Sequence, residues 1–387
     1  MTWTVPAEVE DALWAATRRH LPADVVGGPG LTAAVVDRSR RYTSDRDRLA
    51  TPGAGLAAAG DLAARALFFT VADAPKAAAV LAELGDRVRW HGDAPLRILD
   101  LGAGAGAMTL GALGHAAAIA ATRPLAIDAV DRDAGALAIL ADAVPAAAAA
   151  LGVTATVTTR RLELGASPPA RGDGFDLVLL GSVLNELDGA AAQAVTRAAL
   201  GAVADDGAVV IVEPALRECA RALHAVRDAV ITGGWAQVWA PCTRRAAPCP
   251  MLADPRDWCH EERPGGLPPR AARLAQVTGL RDGALKYSYL VLRRGPGHVG
   301  GDDAAVRVVG HPHRSKGKLE APACGADGLV TLRLLSRHRG DATRALDRAR
   351  RGELLRIDGG ARHDDRLDVG AGASVTRLVP AGDPDPA

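Results

Sequence analysis

The chain has 387 residues, 48% of them hydrophobic, and its 46 lysine and arginine side chains nearly balance 45 aspartate and glutamate side chains. This length predicts about two domains with a sizeable core, and the net charge of +1 excludes a simple polyanion binder. The first residues lack the pattern of a secretory signal, and no apolar run approaches the roughly 20 residues of a membrane span, so we expect a soluble, cytoplasmic protein with no membrane or DNA partner.

Residues 1–94 form the first predicted unit, an N-terminal helical region. The stretches PAEVEDALWAATRRHLP and LTAAVVDRSRRY have the apolar spacing of amphipathic helices, and a third helical pattern runs from Asp61 to Val88. Prolines punctuate this region, as residues that interrupt helices do, and they stand at Pro22, Pro29, Pro52 and Pro75.

Residues 95–295 alternate between strand and helix patterns, which predicts an α/β fold with a doubly wound parallel sheet. Five strands are predicted in LRILDL, LAIDAVD, VTATVTTRRLEL, FDLVLLGSVLNEL and GAVVIVEPA. One helix is expected from Ala134 to Leu151, and another opens at Pro214. A last helix and strand in ARLAQVTGLRDGALKYSYLVLRR close the sheet near Arg294.

The remaining residues predict a small β-rich domain. GPGHVGGDD is a plausible linker, residues 303–370 contain short β-like runs between glycine turns, and residues 371–387 are expected to be a frayed tail. This domain is locally basic, and its cations either neutralise RNA phosphates or form an ordinary solvated surface. The candidate phosphate contacts are Lys316, Lys318, Arg333, Arg337 and Arg339.

A glycine turn follows the first predicted strand in DLGAGAG. Gly102, Gly104 and Gly106 exclude side chains where a tight turn meets a ligand, and Asp100 precedes them. Asp131 ends the next strand, where a carboxylate can accept hydrogen bonds from two ribose hydroxyls. The spacing resembles the first motif of class I S-adenosylmethionine-dependent methyltransferases, and this predicts a nucleoside site. The alternatives are a turn without a ligand, a nicotinamide cofactor without visible hydride-transfer residues, and Asp133 in place of Asp131.

Four of the five cysteines form a candidate metal site. Cys242, Cys249 and Cys259 lie in a loop over residues 240–262, with six and nine residues between them, and Cys324 follows much later. The spacing is looser than in the C-x-x-C pairs of zinc ribbons, which favours an iron–sulfur cluster and leaves zinc as the rival. Simple burial of small apolar thiols is the remaining alternative.

Other side chains near these cysteines are assigned ordinary roles. Cys219 lies on the apolar face of the helix after Pro214, and we expect it to serve packing. His260, His311 and His313 are possible ligands, but a solvated position or a contact beyond the ligands is the more common role for such residues.

The combined motifs resemble the Rsm22 family, which includes mitochondrial small-subunit methyltransferase-like proteins and bacterial relatives. The resemblance is carried by RILDLGAGAGAMTL, DLVLLGSVLNEL, VVIVEPAL, the APC…PCP…DWCH stretch, KYSYLVLRR and RSKGKLEAPACGADG. It implies a class I methyltransferase fold, a [4Fe-4S] cluster on Cys242, Cys249, Cys259 and Cys324, and work on small ribosomal subunit RNA. Thr243 and Arg244 depart from the family's proline–histidine pair after the first cysteine.

Catalytic residues are less evident in the sequence. Asn185 and Glu186 follow the fourth strand, where an acceptor would meet the methyl group, and are the best polar candidates. The alternative is that Asn185 shapes the backbone and Glu186 is solvated. Three functions remain open: an RNA methyltransferase, an assembly factor that binds S-adenosylmethionine and RNA without turnover, and a redox-responsive or zinc-stabilised RNA-binding module.

Overall fold

A computed structural model describes residues 3–46, 55–164, 174–280 and 283–379. The N-terminal region contains α1 (Ala7–His20), α2 (Gly28–Thr43) and a continuous helical run from Gly55 to Arg87. This run consists of α3 (Gly55–Ala64), a π-helical turn (Arg65–Phe69), α4 (Thr70–Leu81) and a 3₁₀ segment (Ala82–Arg87). Pro75, expected to punctuate the region, lies inside α4.

The Gly55–Arg87 run is 33 residues long, and among the described residues it is the one helix long and apolar enough to cross a membrane by length and composition. The expectation that no apolar run reaches that length is therefore corrected. More than half of its most apolar window is buried within the protein. The run packs against the helix that follows the first strand, as a core helix does.

The first sheet follows the predicted alternation. Its strands are β1 (Leu96–Leu101), β2 (Leu125–Asp131), β3 (Ala155–Arg161), β4 (Phe175–Gly181), β5 (Val203–Pro214), β6 (Gln237–Ala240), β7 (Glu261–Pro264) and β8 (Ala284–Arg293). The helices are α5 (Ala107–Ala118), α6 (Ala134–Ala150), α7 (Gly189–Ala202), α8 (Arg217–Thr232) and α9 (Pro269–Thr278). Near-continuous apolar runs form the central strands because helices cover both faces.

The strand order is β3-β2-β1-β4-β5-β8-β6, and β7 also pairs with β8. Pairs among β1 to β5 are parallel, as predicted. The pairs of β8 with β5, β6 and β7 are antiparallel, so the sheet is mixed rather than wholly parallel. The order reverses between β1 and β4, which places a ligand crevice at the carboxyl ends of these strands.

The second sheet forms the C-terminal region. It contains β9 (Ala305–Val308), β10 (His313–Ser315), β11 (Lys318–Gly325), β12 (Gly328–Leu335), β13 (Leu354–Asp358), β14 (Ala361–His363), β15 (Arg366–Val369) and β16 (Ser374–Val379), with one short helix, α10 (Arg344–Asp347). Alternating apolar residues of β11 and β12 form a separate core. β16 lies in the expected tail but pairs with β13, and residues 380–387 lie outside the described residues.

A buried charge cluster joins the three regions. The Glu83 side chain is 1% exposed, and its carboxylate forms ion pairs with Arg263 of β7 at 3.0 Å and with Arg307 of β9 at 2.9 Å. Arg307 Nε also donates to the carbonyl oxygen of Pro241 at 3.1 Å. Three sequence-distant segments thus meet at one carboxylate, which fixes the second sheet against the first.

Candidate functional site

The glycine turn connects β1 to α5. Gly102, Gly104 and Gly106 have φ angles of 73°, 52° and 100°, a region that favours glycine. A Cβ at Gly102 would stand 2.4 Å from Cγ2 of Val183, whereas a Cβ at Gly104 would meet nothing within 4 Å. Gly102 is therefore required for packing, and the space over Gly104 is open to a ligand.

Asp131 lies beside this turn at the end of β2. Its Oδ2 accepts the Gly104 N–H at 2.8 Å, and its Oδ1 accepts the Asp133 N–H at 2.8 Å. Each oxygen retains a lone pair, since a carboxylate accepts about four hydrogen bonds. Asp133, the alternative, instead caps α6 through the Gly135 and Ala136 N–H groups and pairs with Arg65.

Two adjoining compartments form a cleft around Asp131, with volumes of about 130 and 160 Å³. Both are lined by Gly102, Asp131, Ser182 and Glu186. The second adds apolar side chains: Leu162, Leu164, Val183 and Leu187. A charged compartment therefore adjoins a partly apolar one, an arrangement suited to a ligand with a polar chain and a flat ring.

The N-terminal helices line the first compartment, which the sequence patterns do not indicate. They contribute Arg38, Tyr42, Arg65, Phe69, Thr70, Asp73 and Lys76. The Arg38 guanidinium lies 4.4 Å from the centre of the Tyr42 ring, and its Nε has no partner among the described residues. The signal available was the cluster of arginines in DRSRRY, whose helical spacing alone does not show which face meets a ligand.

Asp100 lies fully buried at the base of the turn. Its Oδ2 accepts the backbone N–H of Thr109 at 3.1 Å and the hydroxyl of Thr109 at 2.7 Å. Burial raises the pKa of this carboxyl to about 7, against the lowering effect of the Thr109 hydrogen bonds. Asp100 therefore supports the turn from below and does not line the cleft in the described structure.

The Asp100→Asn substitution is expected to reduce the pH dependence of stability. Between pH 3.8, the ordinary aspartate pKa, and about pH 7, the folded chain keeps a proton that the unfolded chain has lost. Wild-type stability therefore falls as pH rises through this window, by at most about 1.4 kcal/mol per pH unit. Urea unfolding at pH 5 and pH 7.5 measures the difference, with exposed Asp205→Asn as the control; equal pH slopes in wild type and Asp100→Asn would contradict it.

The turn after β4 is held by Glu213 of β5. Its buried carboxylate accepts the N–H groups of Val183, Leu184 and Asn185 at 3.0, 2.8 and 3.3 Å. Burial raises the pKa of Glu213 to about 7, against these hydrogen bonds. Glu213 therefore shapes the turn that carries the candidate catalytic residues, and its signal was the lone acid at the end of the apolar strand VVIVEP.

Asn185 and Glu186 occupy different surroundings. The carbonyl oxygen and Oδ1 of Asn185 both accept from Arg46 Nη2, at 2.8 and 2.9 Å, and Asn185 does not line either compartment. Glu186 lines both compartments and lies 3.3 Å from Arg132. Burial raises the pKa of Glu186, against the opposing effect of Arg132. Of the two candidates, Glu186 is the one that faces the cleft.

A second cavity brings together the four candidate ligand cysteines. Cys242, Cys249, Cys259 and Cys324 all line one space of about 50 Å³, and none forms a disulfide. Loop residues supply the first three, and β11 supplies Cys324. Among the described residues, no group of three or more His, Cys, Asp or Glu side chains is arranged to hold a single metal ion.

The cavity lies over a gap in the pairing along β8. β7 pairs with residues 284–287 of β8, and β6 pairs with residues 291–293 of the same strand. Ser288, Tyr289 and Leu290 lie between and line the cavity, and the Ser288 hydroxyl donates to the Cys259 carbonyl oxygen at 3.0 Å. The cysteine loop is therefore an excursion between two edge strands, and the SYL of KYSYLVLRR forms its floor.

Burial favours the protonated form of three of these thiols, Cys249, Cys259 and Cys324, in the absence of a metal. Burial raises the pKa of Cys249 to about 11 and that of Cys324 to about 12, and neighbouring cysteines add to both. Burial and the neighbouring cysteines raise the pKa of Cys259 still further. The soft donor set is suited to iron or zinc, which bind thiolates and displace their protons.

The other candidate ligands do not share this arrangement. Cys219 is buried in α8 and does not line the cavity. His260 lines it, but its Nδ1 lies 3.0 Å from Arg351 Nη2. His311 lies 3.4 Å from Glu262, and His313 is exposed on β10. Among the described cysteines, the four that line the cavity are therefore the candidate metal ligands.

Direct hydrogen bonds also connect the cysteine loop to the second sheet. Thr243 donates to the Cys324 carbonyl oxygen at 3.0 Å, and Arg244 donates to the Ala326 carbonyl oxygen at 2.9 Å. These two hydrogen bonds tie the first sheet's cysteine loop to the second sheet, and the regions built on the two sheets are called the two lobes below.

The basic surface of the second sheet is partly neutralised. Lys318 pairs with Glu320 at 2.7 Å, and Arg333 and Arg339 pair with aspartates at 2.6 and 3.1 Å. Lys316 and Arg337 are exposed. These two are the better placed of the five cations for an external phosphate.

Comparison with solved structures finds methyltransferases at low identity. The Synechocystis magnesium protoporphyrin IX methyltransferase with bound SAH is 12% identical, with a TM-score of 0.35 over 68% of this chain and 99% of that chain. A Corynebacterium glutamicum TehB-like methyltransferase is 13% identical, with a TM-score of 0.32 over 68% and 99%. A Clostridium acetobutylicum S-adenosylmethionine-dependent methyltransferase is 13% identical, with a TM-score of 0.26 over 36% of this chain and 49% of that chain. This chain therefore spans about half of that protein.

These structural similarities are distant, and the fold assignment rests on the strand order described above. Comparison with curated proteins finds no match. The family model described as mitochondrial small ribosomal subunit Rsm22 matches residues 64–356, well over half of the chain. The matched region includes the glycine turn, β8 and all four cysteines of the cavity. The resemblance seen in the sequence is confirmed, and the chain belongs to the Rsm22 family.

Proposed function

We propose that the cleft around Asp131 binds S-adenosylmethionine. The observation that supports this is the open space over Gly104 beside a carboxylate with free lone pairs. The residues present fit the cofactor: Asp131 can accept the ribose hydroxyls, the leucine-lined compartment can receive the adenine, and the charged compartment can receive the amino-acid end. When bound, S-adenosylmethionine supplies a methyl group for transfer.

The Asp131→Ala substitution is expected to weaken binding of S-adenosylhomocysteine by about 10- to 100-fold, because hydrogen bonds to a charged group contribute about 1.5–3 kcal/mol. Isothermal titration calorimetry on the full chain measures this. The matched control is Asp128→Ala, on the same strand β2 but outside the lining of both compartments. Wild-type protein without affinity for S-adenosylhomocysteine would overturn the cofactor assignment, and equal losses in both variants would overturn the role of Asp131.

We also propose that the four-cysteine cavity holds a [4Fe-4S] cluster. Four cysteine thiols, three from the loop and one from β11, line one space, and cysteine thiolates are the usual ligands of iron–sulfur clusters. Cys242, Cys249, Cys259 and Cys324 would hold the cluster, which would cross-link the lobes. Anaerobic purification followed by iron, sulfide and zinc analysis tests this; stoichiometric zinc without sulfide would replace the cluster by a zinc site.

The combined sites support action on RNA of the small ribosomal subunit. Two observations support this partner. The chain belongs to a family whose description names the small ribosomal subunit, and the cations Lys316 and Arg337 are exposed. Glu186, which lines both compartments of the cleft, is the candidate catalytic group. Transfer of a radiolabelled methyl group from S-adenosylmethionine to small-subunit RNA tests the enzyme function, with Glu186→Gln as the variant.

One contact favours a second candidate, an assembly factor that binds cofactor and RNA without turnover. Arg46 occupies both oxygens of Asn185, so this candidate catalytic amide is already hydrogen-bonded to the protein. Co-sedimentation with small-subunit precursors, in the absence of detectable methyl transfer, would support this function.

A further inference from the structure

Two arginines of α8 bind the cysteine loop through its backbone. Arg221 Nη1 donates to three loop carbonyl oxygens, those of Met251, Asp254 and Asp257, at 2.9, 2.8 and 2.8 Å. Arg227 Nη2 donates to the carbonyl oxygens of Arg244 and Ala246 at 2.7 and 3.0 Å. Both side chains therefore anchor the loop, which makes them a matched pair for comparison.

Only Arg227 of this pair lines the cysteine cavity. Its side chain is 1% exposed, and its Nε has no hydrogen-bond partner among the described residues. Arg227 shares this cavity with Cys242 and Cys249. A guanidinium donor and a full positive charge are thus buried beside the sulfurs.

The counterion of Arg227 is Asp228, at 2.5 Å. Asp228 does not line the cavity, and its Oδ2 accepts the Cys249 N–H at 2.8 Å. The positive member of the pair faces the cavity and the negative member lies behind a ligand residue. The two other arginines that line the cavity have partners in other segments: Arg307 pairs with Glu83, and Arg244 donates to the Ala326 carbonyl oxygen of the second sheet.

A cluster held by four thiolates carries net negative charge, which increases on one-electron reduction by an external low-potential donor. A nearby buried cation stabilises the reduced state more than the oxidised one, because Coulomb interactions are strong where water is excluded. Charge and hydrogen bonds at the sulfurs are known determinants of cluster potentials. We propose that Arg227 tunes this centre, raising its reduction potential, while Asp228 lowers it; this inference rests on the cluster proposed above.

The test is a redox titration of anaerobically purified full-length protein, followed by electron paramagnetic resonance of the reduced cluster. Arg227→Gln is expected to disfavour reduction at least tenfold, a shift of 59 mV to more negative potential for a one-electron couple. Asp228→Asn is expected to shift the potential in the opposite direction. Arg221→Gln removes loop anchoring without removing charge from the cavity, and it should leave the potential unchanged even where iron content falls.

Shifts of opposite sign from substitutions at two adjacent residues would not arise from a purely structural role. If Arg227→Gln fails to retain iron, Arg227→Lys, which keeps the charge, and Asp228→Asn decide the question. A wild-type potential in Arg227→Gln, or shifts of the same sign in both variants, overturns the inference alone. Wild-type protein that lacks iron and sulfide overturns both the cluster and this inference.

Discussion

Replacing Glu83 by alanine is expected to lower the free energy of unfolding by about 3–5 kcal/mol, the usual cost of removing one partner from a buried ion cluster. Glu83 is almost fully buried and accepts hydrogen bonds from Arg263 and Arg307, on two different strands. Without it, the buried Arg307 guanidinium loses its carboxylate partner, and Arg263 keeps only Glu261, at 3.4 Å. The effect should therefore exceed that of any exposed ion pair in the molecule.

Urea unfolding followed by circular dichroism measures this effect. The control is Glu218→Ala, since Glu218 is largely exposed and lies 3.4 Å from Arg217, and exposed pairs contribute less than about 1 kcal/mol. A loss in Glu83→Ala no larger than in the control would show that the buried cluster does not stabilise the lobe interface.

The same carboxylate predicts a pH dependence. Burial alone would raise the pKa of Glu83, but Arg307 and Arg263 hold it below its ordinary value of 4.5. A lowered folded-state pKa means that the stabilisation is complete above the unfolded-state pKa and is lost as pH falls below it. Wild-type stability should therefore decline below about pH 4.5, and Glu83→Ala should show less of this decline.

The Cys324→Ser substitution is expected to remove most cluster iron. A neutral serine hydroxyl is a poor replacement for a thiolate in a site of soft donors. Cys219→Ser is the matched control, because Cys219 is also buried but does not line the cavity. Iron and sulfide per chain measure the result; full iron content in Cys324→Ser, or equal loss in Cys219→Ser, would contradict the ligand assignment.

Loss of the proposed cluster is also expected to loosen the second sheet, which limited proteolysis near Gly297 would report. The structure indicates that this loosening should be only partial. Thr243, Arg244 and Arg307 bond across the same interface without any metal, so the apo lobes should remain associated and cleavage should accelerate without complete separation. An unchanged cleavage rate would mean that these bonds alone hold the lobes.

The α/β fold class was predicted correctly because its signals are local. The apolar strands, the glycine turn and the Asp131 position each depend on a few adjacent residues. The antiparallel pairing of β6 and β7 with β8 was not predicted, since four-residue strands carry little pattern and their partner lies tens of residues away. Strand β16 falls within the predicted tail, and its pairing with β13 is likewise a contact between segments that are separated in the sequence.

The site was only partly visible in the sequence. The glycines, Asp131 and the four cysteines stand out because each residue type is unusual for its position. Arg38 was not identified, because an arginine on an amphipathic helix is normally solvated. Arg46 was not identified because only tertiary packing brings it to Asn185, 139 residues away. Glu83 was missed likewise, since its partner Arg307 lies 224 residues away.

The position of the cysteine loop between β6 and β7 has a consequence for how this family can vary. Cys242 lies two residues after β6, and Cys259 lies two residues before β7, so the ladder of β8 fixes the separation of these two sulfurs. The intervening segment can lengthen or shorten at small entropic cost without moving either one. Homologues should therefore tolerate insertions and deletions between these cysteines, whereas a single-residue slip in KYSYLVLRR would displace both at once.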